Sequence, residues 1–389
     1  MSPSFAYIAI WSLVICLHSL NLIAFYEEIN FQFIWMQISI FVFLLFSEIL
    51  VKVSNRGHRY SLKRIAFDAR PLNRVNKVLL PILVIMFLVD SLYSGGFPLI
   101  WILLGDGRSH GDFGMPTFHG LFHGLLLFFV SSSFLMVRLK CQPKKNMRHV
   151  LLFVLYVVFV FNRGIIIIFG IQAVFIYIIT SQRISFSRYI KMGMGTGAAI
   201  YIFGLLGNLR SGGNVFANAI GGEGSQIFGI IPESLIWFYV YATGGLNNLL
   251  HNLEMVTPSY LPIYTFAKLL PTVGYQLLGL PQTYGTFELA DGRLTVATAF
   301  QGLVSDFGII GIFFYVPLLV LAQVAYRKSL KRSSIGAILF YAMLMQTIIM
   351  SPYVDTIFYL TFLLQLTLVG LFSLRTKTKE FSRIRSEIN

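Results

Sequence analysis

The chain has 389 residues, of which 56% are hydrophobic and only 12% are charged, and it contains 37 phenylalanines. This composition excludes an ordinary soluble domain and predicts one all-α polytopic membrane domain over residues 1–389. The net charge of +14 argues against nucleic-acid binding, because the basic residues cluster in short stretches between apolar runs, as cytoplasmic loops of membrane proteins do.

Apolar runs along the chain predict about ten transmembrane helices. The first lacks a basic leader and a small-residue cleavage site, so it is interpreted as a retained span and not as a signal peptide. The two cysteines provide neither a disulfide framework nor a zinc-binding spacing. The predicted spans lie at roughly 4–26, 31–53, 78–95, 117–137, 149–161, 165–181, 192–209, 299–326, 335–350 and 354–374.

The distribution of cations predicts the orientation of these spans. Residues 52–77, 138–148, 183–191, 327–332 and the tail from Arg375 carry eight, five, three, four and five Lys or Arg residues, which is 25 of the 30. Because Lys and Arg favour the cytoplasmic side, both termini and all five stretches are predicted to be cytoplasmic. The segment 208–298 then forms one large loop on the opposite, outer face.

Five cations fall on that outer face, and Arg163 has the most specific setting. It lies in Phe161-Asn162-Arg163-Gly164 between two apolar runs that are only about 20 and 25 Å long as helices, shorter than a ~30 Å hydrocarbon core. An arginine at such depth is expected to line a wet cavity or to bind an anion. Arg108 and Lys268 are interpreted either as ordinary solvated side chains or as substrate contacts.

The large loop opens at Gly207-Asn208-Leu209-Arg210, followed by Gly212-Gly213. A guanidinium beside exposed backbone N–H groups suits a phosphate oxygen, although a cation at a helix C-terminus is an equal alternative. Farther along, Trp237 and Tyr241 are typical of a membrane interface and are also candidates for stacking on sugar rings. Asn247 and His251 follow as candidate polar contacts, His251 also as a candidate general base.

Asp306 is predicted about two turns inside the hydrocarbon, in Asp306-Phe307-Gly308. A carboxylate there is expected to pair with a cation, to act as a general base, or to donate a hydrogen bond in its neutral form. The favoured interpretation is a paired scaffold with Arg293 or Arg163 as its partner. Arg293 precedes the run Leu294-Thr295-Val296-Ala297-Thr298.

Two histidines, His119 and His123, lie one helical turn apart where the fourth span begins. No HExxH sequence or third ligand accompanies them, so His119 is predicted as a hydrogen-bonding group at a cavity edge and not as a metal ligand. The sequence also lacks a Walker A motif, a GxSxG nucleophile elbow and a DxD pair. Nucleotide hydrolysis and nucleotide-sugar transfer are therefore poorly supported.

These features together resemble those of the O-antigen polymerase family, the oligosaccharide repeat unit polymerases of bacterial surface polysaccharide assembly. The resemblance covers roughly residues 78–374. It rests on Gly111–His119, Asn162-Arg163-Gly164, the loop opening at Arg210 with ten residues between it and Gly221, Trp237–Asn247, and Val296-Ala297-Thr298 followed by Asp306-Phe307-Gly308.

The resemblance implies a fold similar to the GT-C-like glycosyltransferases that use polyprenyl-linked donors. It implies transfer of a glycan from undecaprenyl pyrophosphate to a lipid-linked repeat unit at the periplasmic face of the inner membrane, without a metal or other cofactor. Expected partners are the lipid-linked donor and acceptor, membrane lipids and a chain-length regulator protein. Arginines Arg163, Arg210 and Arg293 would stabilise the leaving pyrophosphate.

Two alternatives remain open. An O-antigen ligase, which transfers the finished glycan to a lipid A-core acceptor, shares the fold and the large loop and more typically has a committed histidine in that loop. A flippase or transporter of lipid-linked oligosaccharide would more often show paired internal repeats and charges deep in several helices. Neither of those two features is found in this sequence.

Overall fold

A computed structural model describes the protein at residues 2–54, 70–108, 110–181, 185, 187, 190, 193–195, 197, 201, 204–205, 233–267, 269–279, 287–292, 296–332 and 335–372. These residues form helices and connecting turns and contain no β-strand, which confirms the all-α fold class. The helices are α1 Pro3–His18, α2 Phe31–Ser54, α3 Arg70–Tyr93, α4 Pro98–Leu104, α5 Phe118–Arg138, α6 Pro143–Val160, α7 Arg163–Thr180, α8 Glu233–Leu253, α9 Ile263–Ala267, α10 Thr272–Leu278, α11 Gln301–Phe307, α12 Val316–Arg332, α13 Ile335–Met350 and α14 Leu360–Phe372.

Several helices begin at residues whose side chains cap them. Ser2 Oγ accepts a hydrogen bond from the Phe5 N–H at 3.3 Å, and Pro3 occupies the first helical position of α1. Asn162 Oδ1 accepts from the Ile165 N–H at 3.2 Å and starts α7. Such caps satisfy backbone N–H groups that have no partner inside the helix.

Within the described residues, four segments are long and apolar enough to cross a membrane, namely Phe31–Leu50, Arg70–Leu104, Phe118–Arg138 and Gln301–Ser329. Shorter apolar helices accompany them at Pro3–His18, Gly164–Thr180, Ile335–Met350 and Leu360–Phe372. Large apolar side chains such as Trp35, Phe46 and Leu103 are exposed on the helix surfaces, as is typical of lipid-facing positions. The described residues are therefore all helical, and their apolar helices suggest membrane association. Ten spans and a GT-C-like fold stay predictions, and most of the predicted span 192–209 lies outside the described residues.

The predicted span 299–326 is not one continuous helix. Helix α11 ends at Phe307, a 3-10 helix runs from Gly308 to Tyr315, and α12 begins at Val316. The interruption follows Asp306 directly, and it places that residue in the last turn of a short helix. The uniform hydropathy of the run hides this break, because a 3-10 turn and an α-helix need equally apolar side chains in lipid.

A hydrogen-bonded glutamine network holds α5, α7, α13 and α14 together in the core. Ser131 Oγ donates to Gln172 Oε1 at 2.6 Å, and the side-chain amides of Gln172 and Gln365 bond to each other at 3.0 and 3.2 Å. Gln346 joins them through a 3.4 Å contact, and all four residues are buried. Because each amide finds a partner, the network specifies how these apolar helices pack.

The chain reversals at 19–30, 94–117, 161–162 and 351–359 lie at one end of the bundle, here called the loop end. Phe97 packs on Phe159 at 5.1 Å between ring centroids, and Thr361 Oγ1 donates to the Gly120 carbonyl at 3.0 Å. Helix α8 contacts the 19–30 and 351–359 turns at this end. The opposite, basic end contains the α5–α6 turn, where Arg138 Nη2 donates to Ser181 Oγ at 2.9 Å. This separation agrees with the predicted clustering of cations.

Candidate functional site

One fully buried polar group at the loop end is the Asp90 carboxylate, near the end of α3. Asp90 is fully buried, and its Oδ2 lies 2.8 Å from Nδ1 of His119 in the first turn of α5. Its Oδ1 accepts the Met115 N–H at 3.0 Å. The two contacts tie the chain that enters α5 to α3 and fix the plane of the His119 ring.

The rest of the His119 ring is packed on one side and open on another. Gly114 has a φ of +98°, and a Cβ added there would overlap the His119 ring, so only glycine fits. The Phe113 ring meets the imidazole edge-on at 5.4 Å. One fifth of the His119 side-chain surface stays accessible. Nε2 makes no hydrogen bond among the residues that the structure describes.

His123 lies under His119 with 4.1 Å between ring centroids, and its Nε2 is 2.8 Å from the Tyr156 hydroxyl on α6. The predicted pairing of the two histidines on one helix face is therefore observed. Their nitrogens have different partners, a carboxylate for His119 and a phenol for His123. In the described part of the chain, no three His, Cys, Asp or Glu side chains come close enough together to hold a metal ion.

Arg108 lies in the same loop, and its guanidinium is already engaged. Nε and Nη2 donate to the two carboxylate oxygens of Asp106, at 3.0 and 2.5 Å, and Nη1 donates to the Ser94 carbonyl at 2.7 Å. The guanidinium also stacks over the Trp101 ring at 4.2 Å. Hydrogen bonds from Arg108 lower the pKa of the Asp106 carboxyl, with a smaller contribution from the charge of the guanidinium. The Arg108 guanidinium, one interpretation of which was a substrate contact, thus binds a carboxylate of its own loop and shapes that loop.

Helix α8 presents a row of buried asparagines toward the segment 287–298. The amide of Asn252 donates to the Glu288 carbonyl at 2.6 Å and accepts the Glu288 N–H at 2.7 Å. Asn248 donates to the Val296 carbonyl at 2.6 Å and accepts the Ala290 N–H at 3.0 Å. Each side-chain amide thus donates to one backbone carbonyl and accepts one backbone N–H. Because the two amides bond the chain before and after position 293, we call Asn248 and Asn252 the asparagine clamp.

Two further predicted residues of α8 contact the 19–30 turn. Asn247 Oδ1 accepts the Glu27 N–H at 2.7 Å, and Nδ1 of His251 lies 2.8 Å from Glu27 Oε1. His251 and Glu27 are partly exposed, with 26% and 45% of their side-chain surfaces accessible. Asn247 therefore positions backbone, whereas His251 keeps an open ring edge beside a carboxylate.

The predicted aromatic contacts, Trp237 and Tyr241, lie on the first half of α8. Their rings are 5.8 Å apart, and Trp237 is buried in a small apolar cluster with Ile23 and Tyr26 of the 19–30 turn. Tyr241 is partly buried against the same cluster. These rings pack α8 on the turn after α1.

Asp306 is buried and serves as a helix-capping carboxylate. Its Oδ1 accepts from Ser259 Oγ and from the Tyr264 N–H, each at 3.0 Å, and its Oδ2 accepts the Thr265 N–H at 2.7 Å. These bonds satisfy the first turn of α9. Asp306 thus has a scaffold role, but the partners are two backbone N–H groups and one hydroxyl. No arginine contact to Asp306 occurs in the described ranges, and the predicted partner Arg293 falls outside them.

Four predicted cations have side chains outside the described residues. Arg210, Lys268 and Arg293 lie there entirely, and only the backbone of Arg163 is described. That backbone is the first residue of α7, directly after the Asn162 cap at the loop end. The asparagine clamp holds the chain on both sides of Arg293. The mutual distances of these cations stay untested.

Sequence reasoning missed the partner of His119 and the role of the asparagines. That partner is Asp90, near the end of α3, and it is completely buried. A signal was present, because a carboxylate near the end of one span and a histidine at the start of the next must lie at the same end of the bundle. No comparable signal marks Asn252, whose partner is backbone.

Comparisons with models of known protein families, with curated proteins and with solved structures found no match to this chain.

Proposed function

We propose that the protein is a membrane-embedded glycosyltransferase that polymerises undecaprenyl-pyrophosphate-linked oligosaccharide repeat units into O-antigen or a similar surface polysaccharide. The reaction takes place at the periplasmic face of the bacterial inner membrane, which is the loop end, and both termini are cytoplasmic. The observation that carries the proposal is the concentration of ordered polar groups at this end of an apolar bundle, namely Asp90–His119, Glu27–His251 and the asparagine clamp.

The chemistry of the leaving group explains the predicted cations. As the bond from the anomeric carbon to pyrophosphate breaks, negative charge develops on the pyrophosphate oxygens, and fixed arginines stabilise it without reorganisation. Arg163 begins α7 at the loop end, and Arg293 lies between the two anchor points of the asparagine clamp. Arg108 is the least suited of the five, since Asp106 occupies its fork.

A ligase is the second candidate, and one observation favours it. The resemblance implies that ligases more typically have a committed histidine in the large loop, and His251 on α8 is held by the Glu27 carboxylate at 2.8 Å. A ligase would transfer the glycan to a lipid A-core acceptor. The identity of the acceptor in the product separates the two candidates.

The cationic site is tested by the ladder of polysaccharide lengths in cells that depend on this protein for polymer. We expect Arg163→Ala and Arg210→Ala each to reduce the rate on the order of 100-fold or more, because each removes one preorganised charge from the leaving pyrophosphate. Arg→Lys variants are also expected to be poor, since a lysine lacks the planar fork.

Arg74→Ala is the matched control, because Arg74 is exposed on α3 near the basic end. Its ladder should equal that of the wild type at the same protein level. Normal ladders from both Arg163→Ala and Arg210→Ala would refute the proposed site.

A further inference from the structure

A neutral histidine held by a fully buried carboxylate is a well-defined proton acceptor. The 2.8 Å contact between Asp90 Oδ2 and His119 Nδ1 places the ring proton on Nδ1, because an ionised carboxylate can only accept. The lone pair of the neutral ring then lies on Nε2. That nitrogen is free of hydrogen bonds within the described ranges, and part of the ring surface is accessible.

The other carboxylates and histidines at the loop end fit this role less well. The oxygens of Asp306 accept three hydrogen bonds and the residue is buried, so no lone pair faces an open space. His251 has the same pairing as His119, but its partner Glu27 is 45% exposed and interacts in water, where the carboxylate orients and stabilises the ring less. Asp90 has no exposed surface.

The surroundings of the pair also fix its geometry. Asp90 is held by the Met115 N–H, Gly114 covers one face of the imidazole, and Ser94 Oγ accepts the Gly114 N–H at 2.8 Å. A base must be held near its working geometry by packing and by supporting hydrogen bonds. The pair lies where α3 ends and α5 begins, at the same end of the bundle as the start of α7.

We infer that His119, oriented by Asp90, is the general base that takes the proton from the acceptor hydroxyl, an inference that rests on the proposed function. The acceptor oxygen bonds to the anomeric carbon of the donor glycan while the bond from that carbon to the pyrophosphate oxygen breaks. The hydroxyl proton moves to His119 Nε2, and undecaprenyl pyrophosphate leaves with the bonding electrons. Asp90 is a positioning residue that stabilises the charged ring.

The test uses the full-length protein in lipid vesicles with a repeat unit linked to undecaprenyl pyrophosphate. His119→Ala should lower kcat by roughly 10²–10⁴-fold, the usual contribution of a general base, while KM changes little. Added imidazole should restore about tenfold or more of the lost rate, because it can occupy the vacated space as a base. Asp90→Asn should lower kcat on the order of 100-fold or more, without rescue by imidazole, because the amide favours the wrong ring tautomer.

His149→Ala is the matched control. His149 is a buried histidine on α6 that contacts Ser133 and lies outside the loop end. Its kcat should stay near the wild-type value, and imidazole should not change it.

Each other outcome contradicts the inference. A His119→Ala protein that keeps near wild-type kcat, or that loses activity together with thermal stability and is not rescued, refutes the base assignment while leaving the glycosyltransferase intact. Rescue by imidazole of His251→Ala in place of His119→Ala would move the base to the other pair. A wild-type protein that elongates nothing contradicts both this inference and the proposed function.

Discussion

At the residue scale, the structure gives buried carboxylates defined partners. Asp306 accepts hydrogen bonds from two backbone N–H groups and one hydroxyl, whereas Asp90 binds an imidazole and one backbone N–H. The first set of donors can only hold a helix in place. The second includes the His119 imidazole, one fifth of whose side-chain surface stays accessible. The buried aspartates Asp90 and Asp306 therefore differ in their hydrogen-bond partners, which the tertiary fold determines.

Asp306→Asn tests the capping role. The substitution replaces one accepting oxygen with an N–H donor that faces backbone N–H groups, so we expect a loss of about 1–3 kcal/mol in the free energy of unfolding. Thermal unfolding in detergent is the measurement, and Glu28→Gln, at an exposed carboxylate, should leave the transition unchanged. An Asp306→Asn protein with normal stability but no activity would instead indicate a direct role in the reaction.

The Asp106–Arg108 pair predicts a pH dependence of the 94–117 loop. The pKa of Asp106 is lowered below its ordinary value of 3.8 by Arg108, so the folded loop favours the charged form. Because the pKa is depressed, the stabilisation of the folded loop by the charged Asp106 carboxylate is present above pH 3.8. It is lost as the pH falls through the folded-state pKa.

The fluorescence of Trp101, which lies under the Arg108 guanidinium, should therefore change as the pH falls through the folded-state pKa of Asp106. The measurement uses a variant in which the other tryptophans are replaced. An Arg108→Gln variant should lack the change. An identical pH response with and without Arg108 would show that the pair does not shape the loop.

At the scale of elements, α8 is the helix that connects three segments of the loop end. It contacts the 19–30 turn through Tyr26 and Glu27, the segment 287–296 through the asparagine clamp, and the 351–353 turn through Gly245. A Cβ on Gly245 would collide with the Pro352 carbonyl oxygen, so the helix and the turn approach as closely as backbone allows.

Gly245→Ala therefore should lower the free energy of unfolding by about 1–3 kcal/mol, because the new methyl group overpacks a backbone contact. Gly170→Ala is the matched control inside α7, where a Cβ meets nothing within 4 Å. Alanine is a better helix former, so that variant should be as stable as the wild type or more stable by up to about 1 kcal/mol. Equal effects of the two substitutions on thermal unfolding would contradict the close packing of α8.

The sequence predicted elements better than it predicted the site. The cores of α2, α5 and α13 agree with predicted spans 31–53, 117–137 and 335–350, because membrane helices need continuous apolar runs that any hydropathy reading detects. The break after Phe307 was missed, since hydropathy does not detect it, although Gly308 stands there with a φ of +62°, a conformation that favours glycine at a helix end.

The candidate site was predicted only in part, for a physical reason. His119 was predicted as a hydrogen-bonding group at a cavity edge, and the sequence did not indicate its partner Asp90, which lies 29 residues away on another helix. Asn252 and Glu288 are 36 residues apart, and the bond uses the backbone of Glu288, which leaves no trace in side-chain pattern. Contacts of this kind depend on the tertiary fold and stay hidden in a single sequence.

At the scale of the whole molecule, we predict a fixed orientation in the membrane, with 208–298 in the periplasm and 138–148 in the cytoplasm. With Cys16 and Cys141 replaced by serine, an impermeant thiol reagent added to the periplasmic side should label a Gly222→Cys protein and spare Pro143→Cys. The reason is the division of cations, with 25 of 30 on the predicted cytoplasmic side. Labelling of position 143 and protection of position 222 would reverse the topology and remove the basis for a periplasmic site.

The most direct measurement is polymerisation by the purified protein in vesicles supplied only with repeat units linked to undecaprenyl pyrophosphate. The predicted result is a ladder of longer glycans that remain on undecaprenyl pyrophosphate, with one free carrier released for each unit added. Unchanged repeat units that have only moved across the bilayer would identify a transporter. Transfer that occurs only when a lipid A-core acceptor is added would identify a ligase, and either result would contradict the proposed polymerase.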